Sequence, residues 1–139
     1  MSADELPPRP APEITAHAAP FWKAAREGRL VIQQCPVCGH RQHYPRPWCT
    51  NCLHEDVEFV DASGEGTIYT FTVIRRSPNP AFEARVPYVL AFVDLDEGVR
   101  LVTNVVDCDP ESVRIGQRVR ARFESIDDEH TVVLFAPAD

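Results

Sequence analysis

Cys35-Pro36-Val37-Cys38-Gly39 and Cys49-Thr50-Asn51-Cys52, two CxxC pairs separated by the ten residues 39–48, decide how this chain is read. Each pair can wrap its backbone around one edge of a tetrahedral ion, Gly39 lets the chain turn sharply after the first pair, and two such knuckles close a four-thiolate shell. A closed shell leaves no open coordination position, so Cys35, Cys38, Cys49 and Cys52 are read as ligands of one structural Zn2+ rather than as a hydrolytic centre. Two other readings stay open on the residues alone. A rubredoxin-type iron site has the same ligand geometry and would make the protein an electron carrier, and paired CxxC motifs also serve redox chemistry. Against the redox reading, neither CxxC opens a helix in a βαβ context.

Working outward, the metal explains a module that has too few residues for a core of its own. A structural zinc contributes on the order of 10 kcal/mol to folding, enough to hold residues 30–60 together. Before the first knuckle, Pro20 suits a first helical turn, Phe21, Ala24 and Ala25 share a face, and Gly28 can supply a left-handed stop. These features predict a short helix over 19–27. Arg29 to Gln34 reads as a strand entering the module and Val57 to Val60 as one leaving it. Residues 1–18 form an arm whose prolines, Pro7, Pro8, Pro10 and Pro12, fall among acidic and small residues without apolar periodicity, predicting a flexible or extended segment.

Beyond a Ser63-Gly64-Glu65-Gly66 joint, five β-rich segments follow: 67–76, 88–95, 100–106, 118–126 and 131–135. The fourth shows the period-2 pattern most clearly, with Val119, Ala121 and Phe123 alternating with Arg118, Arg120, Arg122 and Glu124. Asp96-Glu97-Gly98 and Asp127-Asp128-Glu129 are turns, and Asp109-Pro110-Glu111-Ser112 starts a helical turn between the third and fourth segments. The predicted fold is mainly β: an N-terminal helix and zinc ribbon over 19–62, then a five-stranded OB-type barrel over 63–139, with an open sandwich as rival.

Composition narrows the function classes. The chain is 44% apolar and 25% charged, as in folded soluble proteins, and its apolar runs, such as Val86 to Val93, are far too short to span a membrane. Without a signal pattern at the N-terminus, a cytoplasmic location is expected, where cysteine pairs bind metal rather than form disulfides. Residues 1–57 carry six acids and six bases, so the whole net charge of −7 lies in the second unit. An acidic barrel is a poor match for phosphate backbones, which argues against nucleic-acid binding, although zinc ribbons and OB barrels that bind single strands keep that reading as the alternative.

No triad and no paired-acid motif stands out. Cys108 reads as a small buried hydrophobe, and His40, His43 and His54 as surface or supporting residues, since four cysteines already satisfy zinc. Candidate contacts to a partner or to coenzyme A are Phe21 and Trp22 on the helix, Arg75 and Arg76 at the end of the first barrel strand, and Phe82 in the Pro-rich loop after it. Tyr69, Phe71, Tyr88 and Phe92 sit in strand patterns and read as core.

The order of these features resembles a known family. Phe21-Trp22, Gly28-Arg29-Leu30 before the first CxxC-Gly, Pro45-Arg46-Pro47 before the second, Gly64-Glu65-Gly66-Thr67-Ile68-Tyr69, Pro87-Tyr88, Asp94-Leu95-Asp96-Glu97-Gly98 and Ile115-Gly116 occur together over about residues 19–136. This is similar to the acyl-CoA-associated OB-fold proteins with a rubredoxin-like zinc ribbon. The resemblance implies a non-catalytic accessory subunit of a thiolase-fold enzyme in acyl-CoA thiolysis, condensation or retro-aldol cleavage, in lipid or steroid side-chain metabolism. It also implies that related modules accompany hotdog-fold enoyl-CoA hydratases, while direct contact of this chain with acyl-CoA stays open.

Overall fold

In the computed structural model, which describes residues 6–138, the chain folds as a helix, a three-stranded ribbon and a closed barrel that share one apolar core. Residues 1–5 of the expected N-terminal arm lie outside the described residues, and residues 6–15 run without helix or strand. Arg9 ties this segment down: its Nε donates to Glu124 Oε2 at 2.8 Å and its Nη1 to Asn104 Oδ1 at 3.1 Å.

Helix α1 spans Ala19–Arg26 and buries Phe21, Trp22, Ala24 and Ala25 on one face. It ends as the sequence predicts. Gly28 takes φ +76°, its N–H donates to Ala25 O, and Arg29 N–H donates to Ala24 O at 2.9 Å. These two bonds satisfy carbonyls that the helix end would otherwise leave open, in a Schellman arrangement.

The ribbon sheet has the order β2-β1-β3, with β1 at Val31–Gln34, β2 at Arg41–Gln42 and β3 at Glu58–Asp61. Its base is apolar: Leu30, Val31 and Ile32 are buried in the cluster that also contains the barrel residues Ile68, Val89, Val93, Val119 and Phe135. The ribbon and the barrel therefore do not stabilise separately, because the apolar area buried between them belongs to both.

The barrel strands are β4 (Glu65–Ile74), β5 (Tyr88–Leu95), β6 (Arg100–Val105), β7 (Arg118–Ser125) and β8 (Thr131–Pro137), closed in the order β4-β5-β6-β8-β7. Antiparallel pairing holds everywhere except between β6 and β8, which meet in parallel at Val105 and Phe135. A five-stranded barrel whose third and fifth strands pair in parallel, with a 3-10 turn at Pro110–Ser112 between the third and fourth, is the OB fold. The open sandwich is thereby excluded.

The first barrel strand begins earlier than expected, so Gly66 lies inside β4 rather than in a joint. A Cβ there would stand 2.7 Å from Asp94 O, which explains why the strand needs glycine at that point. Further along β4 the register with β5 slips between Ile68 and Thr70. That irregularity turns Tyr69 outward, 50% exposed, with the Arg100 guanidinium 3.5 Å from its ring centre. Phe92 also faces out, on the outer side of β5, so two of the four aromatic residues read as core are surface residues.

The loop expected to carry Phe82 contains a one-turn helix instead, α2 (Pro80–Glu83). Asn79 Oδ1 caps it by accepting from Ala81 N–H at 2.9 Å, and Pro80 occupies the first turn. Phe82 is half-buried, with its ring 5.8 Å from that of Tyr88, and is not a free apolar tip.

Candidate functional site

The four cysteine sulfurs converge at the end of the ribbon. Cys35 Sγ and Cys52 Sγ are 3.6 Å apart, as are Cys38 Sγ and Cys49 Sγ, and all four lie within 4.8 Å of one another. A tetrahedral Zn2+ with Zn–S bonds of about 2.3 Å places its sulfurs about 3.8 Å apart, so the donor set fits one zinc ion.

Two equivalent backbone turns build this geometry. Cys35 N–H donates to His40 O and Gly39 N–H to Cys35 O; in the second knuckle Cys49 N–H donates to His54 O and Leu53 N–H to Cys49 O. Gly39 at φ +78° and Leu53 at φ +68° occupy the same left-handed position. Leu53 escapes sequence reasoning because a branched residue at positive φ is rare and glycine is the expected signal.

Hydrogen bonds then aim at the sulfurs. Cys52 N–H and Asn51 N–H both lie 3.4 Å from Cys49 Sγ, Cys38 N–H lies 3.5 Å from Cys35 Sγ, and Asn51 Nδ2 lies 3.5 Å from Cys38 Sγ. The Asn51 amide, followed by the His40 backbone, pulls the Cys38 thiol down to about 6. For Cys52, a backbone hydrogen bond from His54 works downward, yet desolvation and the neighbouring sulfurs push the thiol up to about 12. One sulfur ionises readily and another resists. Four thiolates at this spacing need a dication between them.

The loop joining the knuckles hangs on two buried glutamines that the sequence reading passed over. Gln33 Oε1 accepts from Arg46 N–H and from Gln42 Nε2, both at 2.8 Å, while Gln33 Nε2 donates to Arg46 O at 2.9 Å. Gln42 in turn donates to Trp48 O and accepts from Thr50 N–H at 2.9 Å. Their side chains thus set the path of residues 46–50 and the position of Cys49. Gln33→Leu keeps the volume and removes the Gln33 bonds, leaving one Gln42 amide hydrogen and the Arg46 N–H and carbonyl without their partners. The expected loss is about 2 kcal/mol, read as a lower denaturation midpoint of the zinc-loaded protein.

The histidines take no ligand position among the described residues. His40 Nε2 meets Thr50 Oγ1 at 3.1 Å, which fits the expected surface role. His43 departs from it: its ring packs 5.3 Å from Phe21 and 5.5 Å from Tyr44, and its Nδ1 is buried without a hydrogen-bond partner. Cys108 is half-buried, and burial raises its thiol, as expected of a packing residue.

The candidate contact residues separate into two groups. Phe21 and Trp22 are buried at 5% and 9% exposure, and with Phe82 they line one cavity between α1 and the barrel. Their first role in this chain is packing. Arg75 and Arg76 are exposed at the far end of β4, and Arg75 is paired with Glu111.

Family models match both parts of the chain: "ChsH2, rubredoxin-like zinc ribbon domain" over residues 22–58 and "ChsH2, C-terminal OB-fold domain" over residues 59–124. A "DUF35 domain-containing scaffold protein" of Methanocaldococcus jannaschii is 36% identical over 110 residues, 78% of this chain and 77% of the relative. The chain belongs to the DUF35 zinc-ribbon and OB-fold family. Within it, a solved structure described as "Ltp2-ChsH2(DUF35) aldolase" superposes with a TM-score of 0.83 at 41% identity, covering 92% of this chain and 99% of that one.

Two longer or more distant relatives carry enzyme names. A "Probable enoyl-CoA hydratase alpha subunit" of Thermomonospora curvata is 42% identical over 94% of this chain, but this chain spans only 40% of that protein. A "Benzoylsuccinyl-CoA thiolase subunit BbsA" of Geobacter metallireducens is 30% identical, over 65% of this chain and 61% of the relative. No described helix is long and apolar enough to cross a membrane.

Proposed function

We propose that this chain is a non-catalytic accessory subunit that docks onto a thiolase-fold enzyme and supports cleavage or condensation of acyl-CoA thioesters. The observation that carries this reading is the coincidence of a complete scaffold with a closed metal shell. Four sulfurs are placed to fill the coordination sphere of one zinc, and charged groups such as Arg9 with Glu124, Arg100 with Asp94 and Arg118 with Asp96 are held in ion pairs. A structural zinc stabilises the module and performs no reaction, so the chemistry belongs to the partner.

The aldolase and thiolase names borne by relatives of matching architecture support a thiolase-like partner. The hydratase relative, in which a chain like this one is a minority of the length, supports the same module serving beside a hydratase. The working compartment is the cytoplasm, where reducing conditions preserve thiolates for the metal. Within that assembly residues 19–62 act as the docking unit and residues 63–139 as the barrel, with exposed Arg76, beside the Glu111-paired Arg75, available to a phosphorylated ligand or an acidic partner surface.

Co-expression with a thiolase-fold subunit encoded beside it tests the proposal. The expected result is a complex that survives size-exclusion chromatography and whose thioester-cleaving activity exceeds that of the enzyme alone by tenfold or more. Independent elution of the two chains together with unchanged activity overturns it.

A further inference from the structure

Residues 6–15, which belong to neither helix nor strand, alternate in burial with a period of three. Leu6, Arg9, Pro12 and Thr15 are half-buried, and the two residues after each of the first three are exposed. A polyproline II helix has three residues per turn, and Pro7, Pro8, Pro10 and Pro12 favour it. The segment therefore lies on the barrel as a strap with one face inward.

The surface beneath it supplies what such a helix lacks. Prolines carry no N–H, so the strap's backbone presents mainly carbonyls, and Arg85 Nη1 donates to Pro7 O at 2.8 Å. Arg9, its side chain 13% exposed, is gripped by Glu124 Oε2 at 2.8 Å and by Asn104 Oδ1 at 3.1 Å. Tyr88, packed against Phe82, borders the cavities on both sides of Arg9. A donor to the backbone, an acidic seat for one arginine and an aromatic wall are the means by which extended proline-rich segments are recognised. The apolar core of the described residues begins at Ala18, so it is complete without the strap. Beside Pro8 a cavity of about 660 Å³ stays open between Arg85, Val105, Cys108, Arg122 and Ile126. The site is larger than its own strap fills, and the strap of a second copy would leave the same space.

We propose that this surface is a docking site for an extended, proline-rich, arginine-bearing segment of a partner protein, and that residues 6–15 occupy it in cis until that segment replaces them. Exchange is open to the strap because residues 6–12 are held by one ion pair and two further hydrogen bonds rather than by core packing. The site lies on this chain's own surface and stands whether or not the partner is the thiolase-fold enzyme proposed above.

NMR titration of the zinc-loaded full chain with a synthetic peptide of residues 6–15 is the test. Arg9→Glu in the chain sets its own strap against Glu124 and frees the surface. That variant should bind the peptide saturably, with shifts at Arg85, Asn104 and Glu124. A Kd of about 0.1 mM is expected there, and binding at least tenfold weaker to the parent chain, whose strap competes at an effective concentration of about 1 mM. A peptide carrying Arg9→Glu should bind the variant at least tenfold more weakly than the parent peptide. Glu124→Arg frees the strap from the other side, and a chain with that substitution should reverse the preference between the two peptides. No saturable binding by the folded variants, equal binding of the two peptides, or equal binding by parent and Arg9→Glu chains overturns the proposal. A parent chain that dimerises with rising concentration and returns to monomer in excess peptide assigns the surface to a second copy and overturns the partner.

Discussion

Cys49→Ser abolishes stoichiometric zinc and opens residues 35–56 to proteolysis while much of the barrel's circular dichroism signal remains. The ligand removed is the fully buried one of its knuckle, and its sulfur accepts two of the hydrogen bonds that shape the shell. Four-thiolate zinc contributes on the order of 10 kcal/mol to a small module, and an oxygen donor in place of one thiolate forfeits much of it. The loss does not stop at the knuckles. Gln42 holds the Thr50 backbone next to Cys49, and Leu30, Val31 and Ile32 at the ribbon's base are packed against barrel residues, so the barrel's unfolding midpoint falls as well. Metal analysis, limited proteolysis and thermal unfolding check this together. A variant that retained one zinc per chain and an unchanged midpoint would mean that Cys49 is not a ligand.

That the barrel is expected to feel a change in the ribbon is a consequence legible only in three dimensions. Local patterns announce themselves in the sequence. The two CxxC pairs, the proline and glycine that bracket α1, the alternation of Val119, Ala121 and Phe123 and the turn at Gly98 each rest on a few adjacent residues, and each is where it was expected. What lies between distant residues does not. Gln33 and Gln42 look like ordinary polar residues of a strand, and nothing nearby marks them as the anchors of Arg46, Trp48 and Thr50.

Tyr69 was misread because a one-residue slip in strand register reverses which face a side chain takes, and the slip depends on the partner strand. α2 was missed for a different reason. Its signature is present, an Asn79 cap followed by Pro80, but a four-residue helix carries no periodicity to reinforce it. The metal centre was readable because ligand spacing is a local property of the chain. The cavity was not, since its walls come from α1, the segment around His43, α2 and three barrel strands.

The stability of the zinc-loaded protein is expected to rise as the pH is raised from about 4 to about 6.5, and His43→Phe should flatten that rise. His43 lies among Phe21 and Tyr44 with an unpartnered Nδ1, and burial lowers its pKa from 6.5 to about 4. In the unfolded chain the imidazole has its ordinary affinity for protons. Between the two values the unfolded state therefore binds more protons than the folded state, which makes stability increase with pH across that window. The contribution is fully present above about 6.5, declines as the pH falls and is gone below about 4. A shift of this size corresponds to at most about 3 kcal/mol, because the ring is not wholly enclosed. Thiolate protonation releases zinc in overlapping acid conditions, so the comparison that isolates His43 is the difference between the parent and His43→Phe at matched zinc occupancy. The denaturation midpoint of the parent should fall more steeply than that of the variant between pH 6.5 and pH 5. Parallel pH profiles would show that the buried imidazole does not resist protonation and that the acid sensitivity belongs to the metal centre alone.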